Sequence, residues 1–141
     1  RRWDDGEART PLDPTFADHL LFDFQAITDR LLAAGAGRVV WVREPIPNVF
    51  WWSSGQAQED PARHEVLYRV MDDVAVRTPG GLVAVVDLPG WLGDQGLDVD
   101  RDARPDGVHW APDSSARIAR DFLGEQLLRA ALGLLPPPGA T

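Results

Sequence analysis

Residues 104 to 119 read RPDGVHWAPDSSARIA and place an aspartate and a histidine three positions apart. Gly107, between them, favours a tight bend. In such a bend the Asp106 carboxylate can accept the Nδ1–H of His109, which leaves Nε2 free to take a proton from a hydroxyl group. This is the acid and base part of a serine hydrolase triad. An Asp-Gly turn that contains a histidine by chance has the same sequence, so the context of the pair decides between the two.

The adjacent residues Trp51 and Trp52, after PIPNVF and before SSGQ, are candidate substrate-binding residues. Aromatic side chains in a loop beyond the end of a strand often stack on sugars or pack against acyl chains. The alternative is that both side chains cover the core beneath a long loop. The pattern alone favours neither interpretation.

Composition excludes several other classes of function. The 14 basic residues are all arginine and face 22 acidic ones, and a net charge of −8 disfavours nucleic acids and anionic membrane surfaces as partners. With no cysteine there is no thiol nucleophile. The acidic run Asp98, Asp100 and Asp102 lacks the glycine and glutamate of a calcium loop, so we expect no metal site there. We also expect no organic cofactor.

The elements that must position these residues follow from the apolar pattern. Three amphipathic helices are predicted, beginning at Pro14, Pro61 and Pro112, where proline suits the first helical position. The runs RVVWVRE at 38–44 and LVAVVDL at 82–88 predict strands that are buried on both faces. The alternating order predicts two parallel strands joined by a right-handed crossover.

Two strands are too few to cover three amphipathic helices. We therefore expect the remaining strands upstream of Arg1, with residues 1–135 as the C-terminal part of a three-layer α/β domain and 136–141 as a proline-rich tail. Ligands of such sheets bind beyond the carboxyl ends of the strands. The loop predicted at 90–111, which contains Asp106 and His109, leaves that end of the second strand.

The block DGVHWAPDSSARIA, after a VVDL strand, resembles the last sequence block of SGNH (GDSL-type) hydrolases, in which Asp-x-x-His supplies acid and base. The preceding order of WDDG, a helix, VVWVREPIP, a helix and VVDLPGWL is similar to SGNH domains fused to bacterial membrane acyltransferases that modify cell-envelope polysaccharides. The resemblance implies an SGNH/flavodoxin-like parallel sheet, with Asp106 as the orienting acid and His109 as the general base. It also implies a serine ester hydrolase or O-acyl transferase acting on acyl esters of cell-envelope glycans.

The chain also departs from the family. The family's nucleophile lies in a Gly-Asp-Ser motif that this sequence lacks, and Trp3 stands where the family has an oxyanion asparagine. The serines of this chain stand in other contexts: Ser53, Ser54, Ser114 and Ser115. We therefore expect the nucleophile upstream of Arg1, and this chain alone to be inactive.

The resemblance further implies a membrane acyltransferase domain upstream in the same polypeptide and an extracytoplasmic location, with a cytoplasmic one as the alternative. The expected partner is an acyl ester or glycan substrate. The alternative function is a non-catalytic α/β module that binds a glycan or a protein through the tryptophan-rich loop.

Overall fold

The computed structural model describes residues 7–135. The elements are α1 (Pro14–Ala33), β1 (Val39–Val42), α2 (Pro61–Arg77), β2 (Val83–Val86), α3 (Leu88–Asp94), α4 (Pro112–Ile118) and α5 (Gly124–Ala131). A π-helical turn, Ala119–Leu123, joins α4 to α5. The WDDG segment with Trp3 and the proline-rich tail lie outside the described residues. Among residues 7–135, no helix combines the length and the apolar character needed to cross a bilayer.

The first two helices begin where the Asp-Pro pairs predict. Asp13 accepts a hydrogen bond from the Thr15 N–H at 2.9 Å, and Asp60 accepts one from the Ala62 N–H at 3.0 Å. Each carboxylate satisfies an N–H group that the first turn of a helix leaves without a partner. At the start of α4 the capping position is Ala111, whose side chain makes no such bond.

The two strands form a parallel pair in the register Val39 opposite Val83 to Val42 opposite Val86. The connection between them contains α2, which packs on α1 and on β2. This confirms the prediction of an α/β chain with parallel strands.

Helices lie against both faces of this pair, because alternate side chains of a strand point to opposite sides. One core lies under α1 and α2, and its buried members are Val39, Val74, Ala75 and Val83. The other lies under α3 and α4, and its buried members are Leu88, Leu92, Leu97, Ala103 and Ile118.

The prediction that both strands are buried on both faces is wrong for β1. Only Val39 of this strand is fully buried, whereas Val40 to Val42 are half-buried. In β2, by contrast, all residues except Val85 are buried. Within residues 7–135, β1 pairs with β2 alone, so its other edge has no neighbouring strand and its side chains are less enclosed.

The predicted loop at 90–111 is also wrong at its beginning, because α3 follows β2 directly. Leu88 and Leu92 are buried one turn apart, and Trp91 stacks on Phe122 of the π-helical turn with ring centroids 4.9 Å apart. Gly90 indicates a loop in the sequence, but it lies inside α3. A Cβ at this position would lie 2.5 Å from the Asp87 carboxylate.

We expect Leu92→Ala to lower the free energy of unfolding by about 2–5 kcal/mol, because the side chain is fully buried and its removal leaves a cavity. Denaturant unfolding followed by circular dichroism measures the change. Leu132→Ala is the matched control, since Leu132 is exposed, and should cost less than about 0.5 kcal/mol. Equal losses would contradict the packing of α3 described here.

Candidate functional site

Asp106 and His109 are in direct contact. The Asp106 Oδ2 atom lies 2.7 Å from His109 Nδ1. The other oxygen, Oδ1, accepts the backbone N–H groups of Val108 at 2.9 Å and of His109 at 2.7 Å. One carboxylate oxygen therefore shapes the turn while the other orients the ring.

These hydrogen bonds also set the charge of the carboxylate. The side-chain bond from His109, followed by the two backbone N–H bonds, holds the pKa of Asp106 well below its ordinary 3.8. Asp106 is therefore ionised at neutral pH, and an ionised carboxylate accepts a proton donated by Nδ1. In the neutral imidazole this leaves Nε2 as the acceptor.

The imidazole of His109 is open to solvent, with 84% of its side-chain surface exposed. Ser53 lines a neighbouring cleft, the Ser54 hydroxyl donates to Glu59 at 2.7 Å, and Ser114 and Ser115 lie on α4. Across residues 7–135, no serine hydroxyl hydrogen bonds to His109. The structure thus brings together the predicted acid and base without a nucleophile from the same residues.

A close approach of two loops holds the Asp-Gly turn at the carboxyl end of β1. The N–H of Asn48, in the loop after β1, donates to the Gly107 carbonyl at 2.8 Å, and the N–H of Phe50 donates to the Asp106 carbonyl at 2.9 Å. Gly107 has a φ of +72°, and a Cβ there would lie 1.6 Å from the Asn48 carbonyl oxygen. Only glycine meets both conditions.

The loop after β1 carries the predicted tryptophans on an unusual backbone. Phe50 and Trp51 have φ values of 54° and 61°, in the left-handed region that costs about 1–3 kcal/mol for a residue with a side chain. Glu59 holds this loop, because its carboxylate accepts the N–H groups of Val49 at 3.0 Å and Ser54 at 3.1 Å. The hydrogen bond from the Ser54 hydroxyl is the main reason why the pKa of Glu59 lies below its ordinary value.

The two tryptophans have different surroundings. Trp51 is half-buried and its Nε1–H donates to the Arg104 carbonyl at 2.9 Å, while the Arg101 guanidinium lies 5.7 Å from its ring centroid. Trp52 is 59% exposed and stacks on the equally open Phe50 with ring centroids 5.0 Å apart. Trp51 therefore anchors the loop, and Trp52 is the ring that a ligand can reach.

A cleft of about 460 Å³ lies between this loop and α3. Its lining includes apolar and polar groups: Ile46, Trp52, Ser53, Asp98, Val99 and Arg104. His109 does not line the cleft, but Asn48, which contacts its turn, does. The cleft and the imidazole are thus neighbours on the surface rather than one cavity.

The acidic run forms a turn. Asp100 Oδ1 accepts the N–H groups of Asp102 at 2.8 Å and Ala103 at 3.2 Å. Over the described part of the chain, no group of three His, Cys, Asp or Glu side chains is arranged to hold a metal ion.

Three residues that position the site were not found from the sequence: Asn48, Glu59 and Arg104. Arg104 follows the acidic run in the sequence, where a solvated charge would be expected, but the residue is only 3% exposed. Asn48 acts through its backbone, Arg104 binds the distant Ile46 carbonyl, and Glu59 binds the backbone N–H groups of a loop, so no spacing of side chains could reveal them. Gly107 was the only signal, since a glycine between Asp and His marks a place where chains can approach.

No family model, no curated protein and no solved structure matches the chain.

We expect Gly107→Ala to separate the two loops, because alanine adds both a strained φ and a clash with the Asn48 carbonyl. The loss of unfolding free energy should exceed that of Gly96→Ala by at least about 1 kcal/mol. Gly96 is the matched control, since its φ is +65° but a Cβ there meets nothing within 4 Å. Chemical denaturation of both variants makes the comparison, and equal losses would contradict the close approach.

Proposed function

We propose that Asp106 and His109 are the acid and base of a serine ester hydrolase or O-acyl transferase of SGNH type. The observation that carries the proposal is the 2.7 Å contact between Oδ2 and Nδ1, made by a carboxylate whose other oxygen is fixed to the backbone. The open imidazole agrees with a group that must meet a nucleophile and a substrate.

In the proposed reaction, the hydroxyl of a serine from outside residues 7–135 donates its proton to His109 Nε2 and attacks the acyl carbonyl. Asp106 stabilises the imidazolium through Nδ1–H. The imidazolium returns the proton to the leaving alcohol, which yields an acyl-enzyme. Water or a sugar hydroxyl then gives a proton to Nε2 and attacks the acyl carbonyl. The bond from the acyl group to the serine oxygen breaks, the acyl group leaves as an acid or a new ester, and the imidazolium returns its proton to the serine oxygen.

The proposal includes a larger sheet. Further parallel strands, upstream of Arg1, would complete a three-layer SGNH/flavodoxin-like domain and supply the serine. The half-buried β1 supports this, because it pairs with β2 alone among the described residues and a further strand along its open edge would enclose it more.

For the substrate we propose an acyl ester of a cell-envelope glycan, with Trp52 as a contact. The support is the exposed Trp52 ring at the edge of the cleft, which also offers Ser53 and Asp98 as hydrogen-bonding groups. The same ring favours the second candidate function, a non-catalytic glycan-binding module, because stacking on a sugar needs no nucleophile.

The catalytic proposal is tested by ester hydrolysis in the protein extended upstream. We expect His109→Ala to lower kcat by a factor on the order of 10³ or more, because the serine then has no base. Asp106→Asn should lower kcat by about 10² to 10⁴, because it loses the charge that fixes the tautomer and stabilises imidazolium. The 141-residue chain alone should hydrolyse p-nitrophenyl acetate no faster than its own His109→Ala variant.

Asp102→Asn is the control for the carboxylate, since Asp102 is exposed in the same loop and contacts neither member of the pair. It should change kcat by less than about threefold, because solvent and salt screen its charge. Equal effects at Asp102 and Asp106, or full activity of His109→Ala, would remove the catalytic proposal and leave the binding module.

Trp52→Ala should weaken the binding of an O-acetylated oligosaccharide to the extended protein about tenfold, which corresponds to a lost stacking contact of about 1.4 kcal/mol. Isothermal titration calorimetry measures the affinity. Phe22→Ala is the control, because Phe22 is 71% exposed on α1. Unchanged affinity in Trp52→Ala would exclude this ring as the sugar contact for both candidate functions.

A further inference from the structure

Arg104 is a buried cation that binds carbonyl groups. Its Nη1 donates to the Ile46 carbonyl at 2.9 Å and its Nε donates to the Val108 carbonyl at 3.2 Å. The guanidinium carbon lies 5.0 Å from the ring centroid of Trp110. Across residues 7–135, no carboxylate lies within ion-pair distance of this guanidinium, although the side chain is almost fully enclosed.

The backbone of Arg104 also hydrogen bonds to the loop after β1 and to the Asp-Gly turn. Its carbonyl oxygen accepts the Trp51 Nε1–H and the Gly107 N–H, both at 2.9 Å, and its own N–H donates to the Asp100 carbonyl at 3.0 Å. One residue therefore holds the loop after β1 and the Asp-Gly turn. Neither loop contains a strand or an α-helix to do this, because the loop after β1 has only short 3-10 turns.

The positive charge of Arg104 interacts with carboxylates that lie beyond ion-pair distance. Burial lowers the pKa of its guanidinium, and the carboxylates of Asp106 and Asp98 act in the opposite direction. The guanidinium therefore interacts electrostatically with Asp106, the carboxylate that orients His109. Its planar fork directs two N–H groups to two different carbonyls, a geometry that the single ammonium of lysine lacks.

We propose that Arg104 is the positioning residue of the candidate base: by clamping the Val108 carbonyl to the Ile46 carbonyl, it fixes the direction in which the His109 ring points. Val108 lies between Gly107 and His109, so a movement of its peptide group turns the imidazole. The role of Arg104 in catalysis rests on the function proposed above. Its effect on the ring does not, and can be measured without activity.

The test uses nitrogen-15 NMR of the 141-residue chain, because the chemical shifts of Nδ1 and Nε2 report which nitrogen carries the proton. In the wild-type chain we expect the proton on Nδ1, held by Asp106. Arg104→Met keeps a long apolar side chain without the donors, and should lose this preference. Circular dichroism and the remaining backbone resonances establish that the variant is folded.

Arg101→Met is the matched control, because Arg101 is an exposed arginine of the same segment that stacks on Trp51. It should leave the His109 nitrogen shifts unchanged. If Arg104→Met does not fold, Arg104→Lys decides, since it retains the charge and most of the stem but cannot bind both carbonyls. A folded Arg104 variant with wild-type His109 shifts overturns the proposal.

In the extended enzyme, the folded Arg104 variant should lower kcat by a factor on the order of 10² with KM unchanged, as expected for a misdirected base. A rise in KM with kcat unchanged would overturn the positioning role. The two proposals fail in different ways. An inactive wild-type enzyme would contradict the proposed function, whereas the NMR comparison would still decide whether Arg104 directs the ring.

Discussion

The approach of two backbones at Asn48 and Gly107 is the constraint on which both candidate functional features depend. It joins the loop after β1, which carries Trp52, to the turn that carries His109. The hydrogen bonds need the chains so close that no side chain fits at position 107. Because of this contact the exposed indole and the exposed imidazole lie on one surface at the carboxyl end of β1, where ligands of parallel sheets bind.

Two energetically unfavourable features lie near this contact, and neighbouring groups compensate for each of them. The left-handed backbone at Phe50 and Trp51 is held by hydrogen bonds to the Glu59 carboxylate and by the Trp51 indole. The desolvated guanidinium of Arg104 is compensated by two carbonyls and the Trp110 ring. Backbone strain that is stabilised from several sides is typical of functional loops.

Local features of the structure were predictable, and long-range ones were not. The Asp-Pro helix starts, the two strands and the contact between Asp106 and His109 each depend on residues only a few positions apart, so spacing reports them. The burial of α3 and of Arg104 depends on partners far along the chain. The adjacent Trp51 and Trp52 show the limit most clearly, because only the distant Arg104 carbonyl distinguishes an anchor from an exposed ring.

The distinction between local and long-range contacts also applies to Asp106 and His109. Their hydrogen bond is local, whereas the direction in which the imidazole faces depends on distant residues. Asp106 binds Nδ1 within a turn of four residues, and while that turn is held in place the neutral imidazole keeps Nε2 as its acceptor. Catalysis also requires that Nε2 face a particular atom of a substrate or nucleophile within about 3 Å. The turn alone does not provide that direction. In our proposal it comes from the Ile46 carbonyl, which accepts from Arg104, and from the Asn48 N–H, which donates to the Gly107 carbonyl. The loop after β1, rather than the Asp-x-x-His motif, is then the part of the fold that selects what His109 meets.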